Sequence, residues 1–265
     1  MHQVTEATHD TMPEWLFSLY DDVFADVILE RPAVPEETDF IIRRMDLSPG
    51  CRVLDHGCGL GTMSFALAER GMNVMGIDVT KRYVERAQAA NTHQAAYPQG
   101  GATEFRTEDA RHFVTEVAQD GVLSWWTSWG HGATERDNQL MLRRAYQSLR
   151  RGGVFLMETL NADYVRSAFN PVLENRREVP LRGGEVLVRR DCALTNQFLE
   201  TSWSFTLPDG SVTRSDGRML LLPAKRVAEM LIRAGFGHVE LMGDLTGKPL
   251  TADSPRLIAV ARRLD

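Results

Sequence analysis

The stretch Val53-Leu54-Asp55-His56-Gly57-Cys58-Gly59-Leu60-Gly61-Thr62 constrains the fold more than any other part of this chain. An apolar run ends in an acid, and a glycine then falls at every second position. A helix-like segment, Met63 to Arg70, follows until Gly71 stops it. A second apolar run, Val74 to Ile77, closes on Asp78. Strand, glycine loop, helix and acid-ended strand, in that order, build the start of a parallel α/β sheet. They also build a site for an adenosine-containing cofactor. Bare glycine backbone turns sharply and lets a ligand lie directly against it.

The nearest competitor is a dinucleotide-binding loop, and spacing separates the two. The G-x-G-x-x-G pattern puts its third glycine where this chain has Thr62. It also asks for no acid two residues before the first glycine, where this chain has Asp55.

The 265 residues, 43% hydrophobic and 25% charged, suit one large domain or one domain with an embellishment. No apolar run approaches the ~20 residues of a bilayer span. The first ten residues, MHQVTEATHD, lack a signal-peptide pattern. Cys51, Cys58 and Cys192 have neither metal nor disulfide spacing, and the expected compartment is the cytoplasm. A net charge of -6 argues against nucleic acid as a partner. No Asp/Glu/His cluster has metal-ligand spacing, so no metal is expected. Self-association is left open.

Strands alternate with helices through Glu158. The second strand is expected over Asn73 to Asp78 and a helix over Lys81 to Ala90. A third strand follows over Thr103 to Arg106, a fourth over Gly121 to Thr127, a helix over Asp137 to Leu149 and a fifth strand over Val154 to Glu158. The period then changes. Val186 to Ala193, Phe198 to Leu207 and Val212 to Leu221 alternate apolar and polar residues, separated by Thr195-Asn196 and Pro208-Asp209-Gly210. They read as an antiparallel insertion. A helix over Ala224 to Ala234 and strands over His238 to Met242 and Leu257 to Ala261 complete the chain. The predicted fold is α/β, a doubly wound, mostly parallel seven-stranded Rossmann-like sheet with an antiparallel β insertion after the fifth strand. The expected division is a helical N-terminal region at 1–46, a cofactor-binding core at 47–160 and 223–265, and the insertion at 161–222.

This order, with Arg233-Ala234-Gly235-Phe236 and Asp253-Ser254-Pro255-Arg256-Leu257-Ile258 near the end, resembles the class I S-adenosylmethionine-dependent methyltransferases. The likeness is to the small-molecule branch that includes natural-product and glycine N-methyltransferases. It implies S-adenosyl-L-methionine as cofactor, S-adenosyl-L-homocysteine as product and a small-molecule acceptor. It implies that Asp55 engages the ligand's ammonium and that Gly57, Gly59 and Gly61 back its methionyl tail. Asp78 would take the ribose hydroxyls and Val79 would cover an adenine face. Asp109 would accept from the adenine amino group beside the Ala110 amide, with Glu108 the alternative if the register slips. Locally, Glu108-Asp109 is also an acidic pair that a helix start favours on its own.

The exit of the fourth strand, Trp125 to His131, is where the methyl would be handed over. Aromatic faces suit a sulfonium, so Trp125 is expected beside the cofactor and Thr127 and Trp129 in the acceptor pocket. Strand neighbours face opposite ways, so one of Trp125 and Trp126 belongs to the core. Thr127-Ser128-Trp129-Gly130-His131 is similar to the Asn-Ser-Phe-x-His run of glycine-type N-methyltransferases. It departs at Thr127 and Trp129, which points away from an amino-acid substrate. His131 is a general base, a partner for the cofactor carboxylate or a helix cap. Trp15, Phe17, Tyr20 and Phe24 have the spacing of a buried helix face. The resemblance instead makes the N-terminal region a lid that aims Tyr20 at the methyl, under a roof supplied by the insertion. Arg176, Arg177, Arg189, Arg190 and Glu200 in that insertion are surface charges or substrate contacts.

The catalytic candidates are therefore Tyr20, His131 and Trp129. The expected reaction is in-line methyl transfer to nitrogen in bacterial secondary metabolism. The alternatives are O-methylation with His131 or Tyr20 as base and, less favoured, a non-catalytic cofactor-binding protein.

Overall fold

In a computed structural model of the chain, residues 20–92, 97–132 and 134–264 are described. Trp15 and Phe17 lie outside them. A short helix α1 (Asp22–Phe24) runs into a π-helical turn (Ala25–Leu29) and is followed by α2 (Pro35–Met45). The glycine loop joins β1 (Arg52–His56) to α3 (Thr62–Glu69), and β2 (Asn73–Asp78), α4 (Lys81–Thr92), β3 (Ala102–Thr107) and β4 (Gln119–Ser124) follow. Helix α5 (Glu135–Ser148) leads into β5 (Leu149–Leu160) and α6 (Ala162–Ser167). Strands β6 (Val172–Val179), β7 (Gly184–Leu194), β8 (Phe198–Thr206) and β9 (Val212–Leu220) then pair in sequence as an antiparallel sheet. Helix α7 (Ala224–Ala234), β10 (Gly237–Met242) and β11 (Arg256–Arg262) end the chain.

The seven-stranded sheet has the order β10-β11-β5-β4-β1-β2-β3, parallel except for β11, which runs against both neighbours. Direction of travel reverses between β1 and β4, and such a reversal opens a crevice at the strands' C-terminal ends. Alternation along the strands builds the core. Val53, Leu123 and Leu156 pack with Phe40, Ile41 and Met45 of α2 and Leu67 of α3. Leu54, Val122 and Phe155 pack with Leu142 of α5 and Met230 and Leu231 of α7. No described helix is long and apolar enough to cross a membrane.

Three elements depart from the sequence pattern. The fourth strand stops at Ser124 rather than Thr127, because Trp126 and Thr127 both adopt left-handed backbone (φ 52° and 66°). The fifth strand starts at Leu149, and a shift in its pairing with β4 absorbs Gly152 and Gly153. Strand β6 has no period-two signal. Seven of its eight residues are exposed, since it is an edge strand with only β7 beside it. The other face of the small sheet is apolar: Val179, Val186, Val188 and Phe205 pack on Val23, Phe24 and Val27 of the N-terminal segment.

Candidate active site

A cleft opens at the C-terminal ends of β1, β2 and β4, where small-ligand sites of such sheets lie. Gly57 and Gly59 of the loop form one wall, whereas Gly61 lies outside the lining, with Phe105 and Phe65 where its Cβ would be. Gly57 and Gly61 have φ of 72° and 82°. A Cβ on Gly57 would sit 2.7 Å from Ser128 Cβ, and one on Gly61 would sit 2.8 Å from the Phe105 ring. Ser128 Oγ donates to the Gly57 carbonyl at 3.0 Å and so pins the loop.

Asp78 ends β2 in the cleft wall. Its two oxygens accept from the backbone N–H of Gly59 (3.0 Å) and of Thr80 (2.8 Å), which fixes the carboxylate's orientation. Burial pushes its pKa up, and those two amides pull it back. Val79, Asp109 and Ala110 share the lining, as does Glu108. Asp109 receives both Nε and Nη2 of Arg111, the latter at 2.6 Å, and Arg111 Nη1 also reaches Asp137 at 3.1 Å. Arg111 is 2% exposed, and nothing in its sequence neighbourhood marks it.

Asp55 lies beneath the loop rather than in the lining, buried and accepting from Ser64 Oγ at 2.7 Å. Burial raises its pKa to about 6, opposed by the Ser64 hydrogen bond and reinforced by Asp78. A carboxyl whose pKa rises on folding costs nothing below its unfolded value and its full penalty above its folded one. Stability is therefore lost between about pH 4 and 6, on the order of 3 kcal/mol. Asp55→Asn should raise the ligand-free Tm by about 5 °C at pH 8 and by little at pH 4. Equal shifts in melts at the two pH values would contradict this.

The other end of the cleft is formed by Tyr20, Leu29, Trp126, Thr127, Ser128 and His131. Tyr20 Oη and His131 Nε2, 111 residues apart, lie 3.0 Å from each other. Burial lowers the His131 pKa to about 4, against the pull of backbone groups of Arg218 and Thr127. Burial, then the nearby Asp78 charge, raises that of Tyr20. Both groups are thus neutral near pH 7.

The indoles are arranged differently from the sequence expectation. Trp129 is absent from the lining; it is 2% exposed, its Nε1 donating to the Asn138 carbonyl at 3.3 Å. Trp125 is core, packed against Phe40. The left-handed turn at residues 126 and 127 presents Trp126 to the cleft instead. Its Nε1 donates to the Glu37 carboxylate (3.0 Å), and Thr127 Oγ1 accepts from Arg256 Nη2 (2.7 Å).

The N-terminal segment lies across the cleft and is held from two sides. Asp26 pairs with Arg86 of α4 and with Arg182 of the β6–β7 connection, each at 2.7 Å. Tyr83 Oη donates to the Asp21 carbonyl at 3.0 Å.

A left-handed glycine loop, an oriented strand-end carboxylate and the Asp109–Ala110 pair fit an S-adenosyl group. Fold and site together define a Rossmann-like methyltransferase architecture. Residues 47–199 match the methyltransferase-domain family, and the chain belongs to it. Phosphoethanolamine N-methyltransferase of Triticum aestivum is 28% identical over 165 residues, 62% of this chain and 30% of that protein. A ubiquinone biosynthesis O-methyltransferase of Pseudomonas fluorescens is 30% identical over 128 residues, covering 48% of this chain and 51% of its own. The chain thus spans about half or less of the length of these curated relatives. The CcbJ methyltransferase of Streptomyces caelestis superposes with a TM-score of 0.74 at 20% identity, over 94% of this chain and 99% of the other.

Proposed function

We propose that this protein methylates a nitrogen of a small-molecule amine, in bacterial secondary metabolism. The observation that carries the reading is the Tyr20–His131 pair, hydrogen-bonded in the cleft and kept neutral by burial. Neither group is a strong enough base to ionise a hydroxyl, as an oxygen acceptor requires. An amine needs only to arrive uncharged, and a dry cleft favours its neutral form. The relatives' names include both N- and O-methyltransferases, so chemistry rather than likeness carries the choice.

Bound S-adenosylmethionine supplies an electrophilic methyl on a sulfonium. In this reading Asp78 holds the sugar, Val79, Asp109 and Ala110 hold the adenine, and Gly57, Gly59 and Gly61 give the methionyl end its close approach. Asp55 meets the ammonium through water, being beneath the loop. Tyr20 Oη, its own proton engaged with His131 Nε2, accepts from the acceptor's N–H and points the nitrogen lone pair at the methyl. The nitrogen gains the methyl, the sulfur keeps the bonding electrons, and the nitrogen's proton leaves through the pair to water. The segment around Tyr20 acts as a lid on the core, and β6–β9 as the roof.

Incubation with S-adenosylmethionine and pooled bacterial metabolites should give products heavier by one CH₂, on amines. Products methylated only at oxygen would refute the nitrogen assignment. Tyr20→Phe should lower kcat about 100-fold while leaving cofactor affinity within about twofold. His131→Asn should match it, and the double variant should be no worse than either, as expected of groups acting as a unit. Unchanged kcat in Tyr20→Phe would reduce the pair to a packing contact.

A further inference from the structure

We infer that the acceptor carries an anionic group, a carboxylate or a phosphate, which Arg177 and Arg31 bind at the Trp126 end of the cleft. The inference deepens the reading above and borrows from it only the position of the acceptor's nitrogen at Tyr20 and His131.

Two arginine pairs lie on neighbouring strands, Arg176-Arg177 of β6 and Arg189-Arg190 of β7. Period-two alternation sends the members of each pair to opposite faces. On the outer face the charges are matched. Arg176 pairs with Glu185 at 2.7 Å, and Arg189 pairs with Asp191 at 2.7 Å and Glu174 at 3.7 Å. Arg177 shares the inner face with Val179, which packs on the N-terminal segment. Its Nη1 donates to the Val27 carbonyl at 3.0 Å, and no carboxylate among the described residues pairs with it.

Two further guanidinium groups approach the same end of the cleft. Arg31 Cζ stands 3.9 Å from the centroid of the Trp126 ring, which lines the cavity. Arg256 holds Thr127, the next lining residue, and pairs with Glu158. Arg31 has Glu37 as an opposite charge and Arg177 as a like one, and Arg256 has Glu37 opposite and Arg31 alike. Glu37 also accepts from Trp126 Nε1, and Glu158 takes Arg256. Two carboxylates therefore answer three guanidinium groups drawn from three distant parts of the chain. The cation in excess is Arg177, and an incoming anion would balance it. Guanidinium forks are matched in shape to carboxylate and phosphate, and Arg31, resting on an indole, is already oriented. Trp126, Tyr20 and His131 line one cavity, so a single small acceptor reaches both ends.

The test has a binding arm and a turnover arm. In the first, inorganic phosphate and acetate are titrated separately into protein saturated with S-adenosylhomocysteine, and the Trp126 indole N–H is followed by ¹⁵N NMR. At least one of the two should shift that signal, saturably, in the wild type and in Arg176→Gln, with the response lost in Arg177→Gln. No shift with either anion, or the same response in both variants, overturns the inference. In the second, matched pairs are offered with S-adenosylmethionine and products are weighed. The amine pairs are β-alanine with β-alaninamide and O-phosphoethanolamine with ethanolamine. The hydroxyl pair is 3,4-dihydroxybenzoate with its methyl ester. The anionic member of a pair should be the better substrate, and Arg177→Gln should raise its KM about tenfold with kcat within about twofold. Equal or better use of the neutral members, or methylation of none of the anionic ones, overturns it. Methylation of hydroxyl members alone would sink the nitrogen assignment, while the anion preference is still scored within that pair.

Discussion

Replacing Arg111 by methionine should lower the unfolding free energy by about 3–5 kcal/mol, a drop in Tm of order 10 °C. The side chain is 2% exposed and stands between two carboxylates, Asp109 and Asp137. Asp137 also accepts from the Thr134 N–H at 2.8 Å and so closes the capping box of α5. Loss of the guanidinium leaves both carboxylates without a counter-charge in a poorly hydrated place. It also frees Asp109 to turn away from the cleft, so cofactor affinity should fall with stability. Arg111→Lys keeps the charge but not the fork, and should cost less on both counts. Urea titrations of the ligand-free variants read the first effect. A loss under about 1 kcal/mol for the methionine variant would show that water reaches the pair freely.

Asp78→Asn should weaken S-adenosylmethionine binding about 100-fold by calorimetry, with the ligand-free Tm unchanged or raised. The carboxylate receives the Gly59 and Thr80 amides, and in the proposed complex it also receives the ribose hydroxyls. An asparagine must turn its own NH₂ toward one of these donors and gives up the charge that strengthens the rest. Removing a carboxylate that burial disfavours does not weaken the empty protein. Affinity within threefold of wild type would mean that the sugar is held elsewhere.

Most of the sheet could be read from residue order because its signals are local. Strand Asn73–Asp78 and helix Ala224–Ala234 fall where the sequence puts them, since each has a clear period and a sharp stop at Asp78 or Gly235. Strand β6 escaped because an exposed edge leaves no apolar face to alternate. That Gly57, Gly59, Asp78, Val79, Asp109 and Ala110 share one cleft was legible for the same local reason, short motifs at the ends of adjacent strands. The Trp126 end of the cleft was not. Trp126 and Thr127 are residue types that favour strands, yet both are left-handed here, so alternation extrapolated past Ser124 assigned the wrong indole to the cleft. Tyr20 and His131 each stood out alone, but no local pattern joins residues 111 positions apart. Arg111 carries no signal beyond being one arginine among many.

Asp26 has a consequence for how the two halves of the molecule communicate. One of its oxygens answers Arg86 of α4, and the other answers Arg182 in the antiparallel sheet's β6–β7 connection. In the proposed complex, an acceptor bearing on that sheet would also bear on α4, through Asp26 together with the Glu30–Arg86 pair, the Tyr83–Asp21 bond and the Arg177–Val27 bond. In that reading the backbone from residue 21 to residue 30 is the strap that joins the two ends of the cleft.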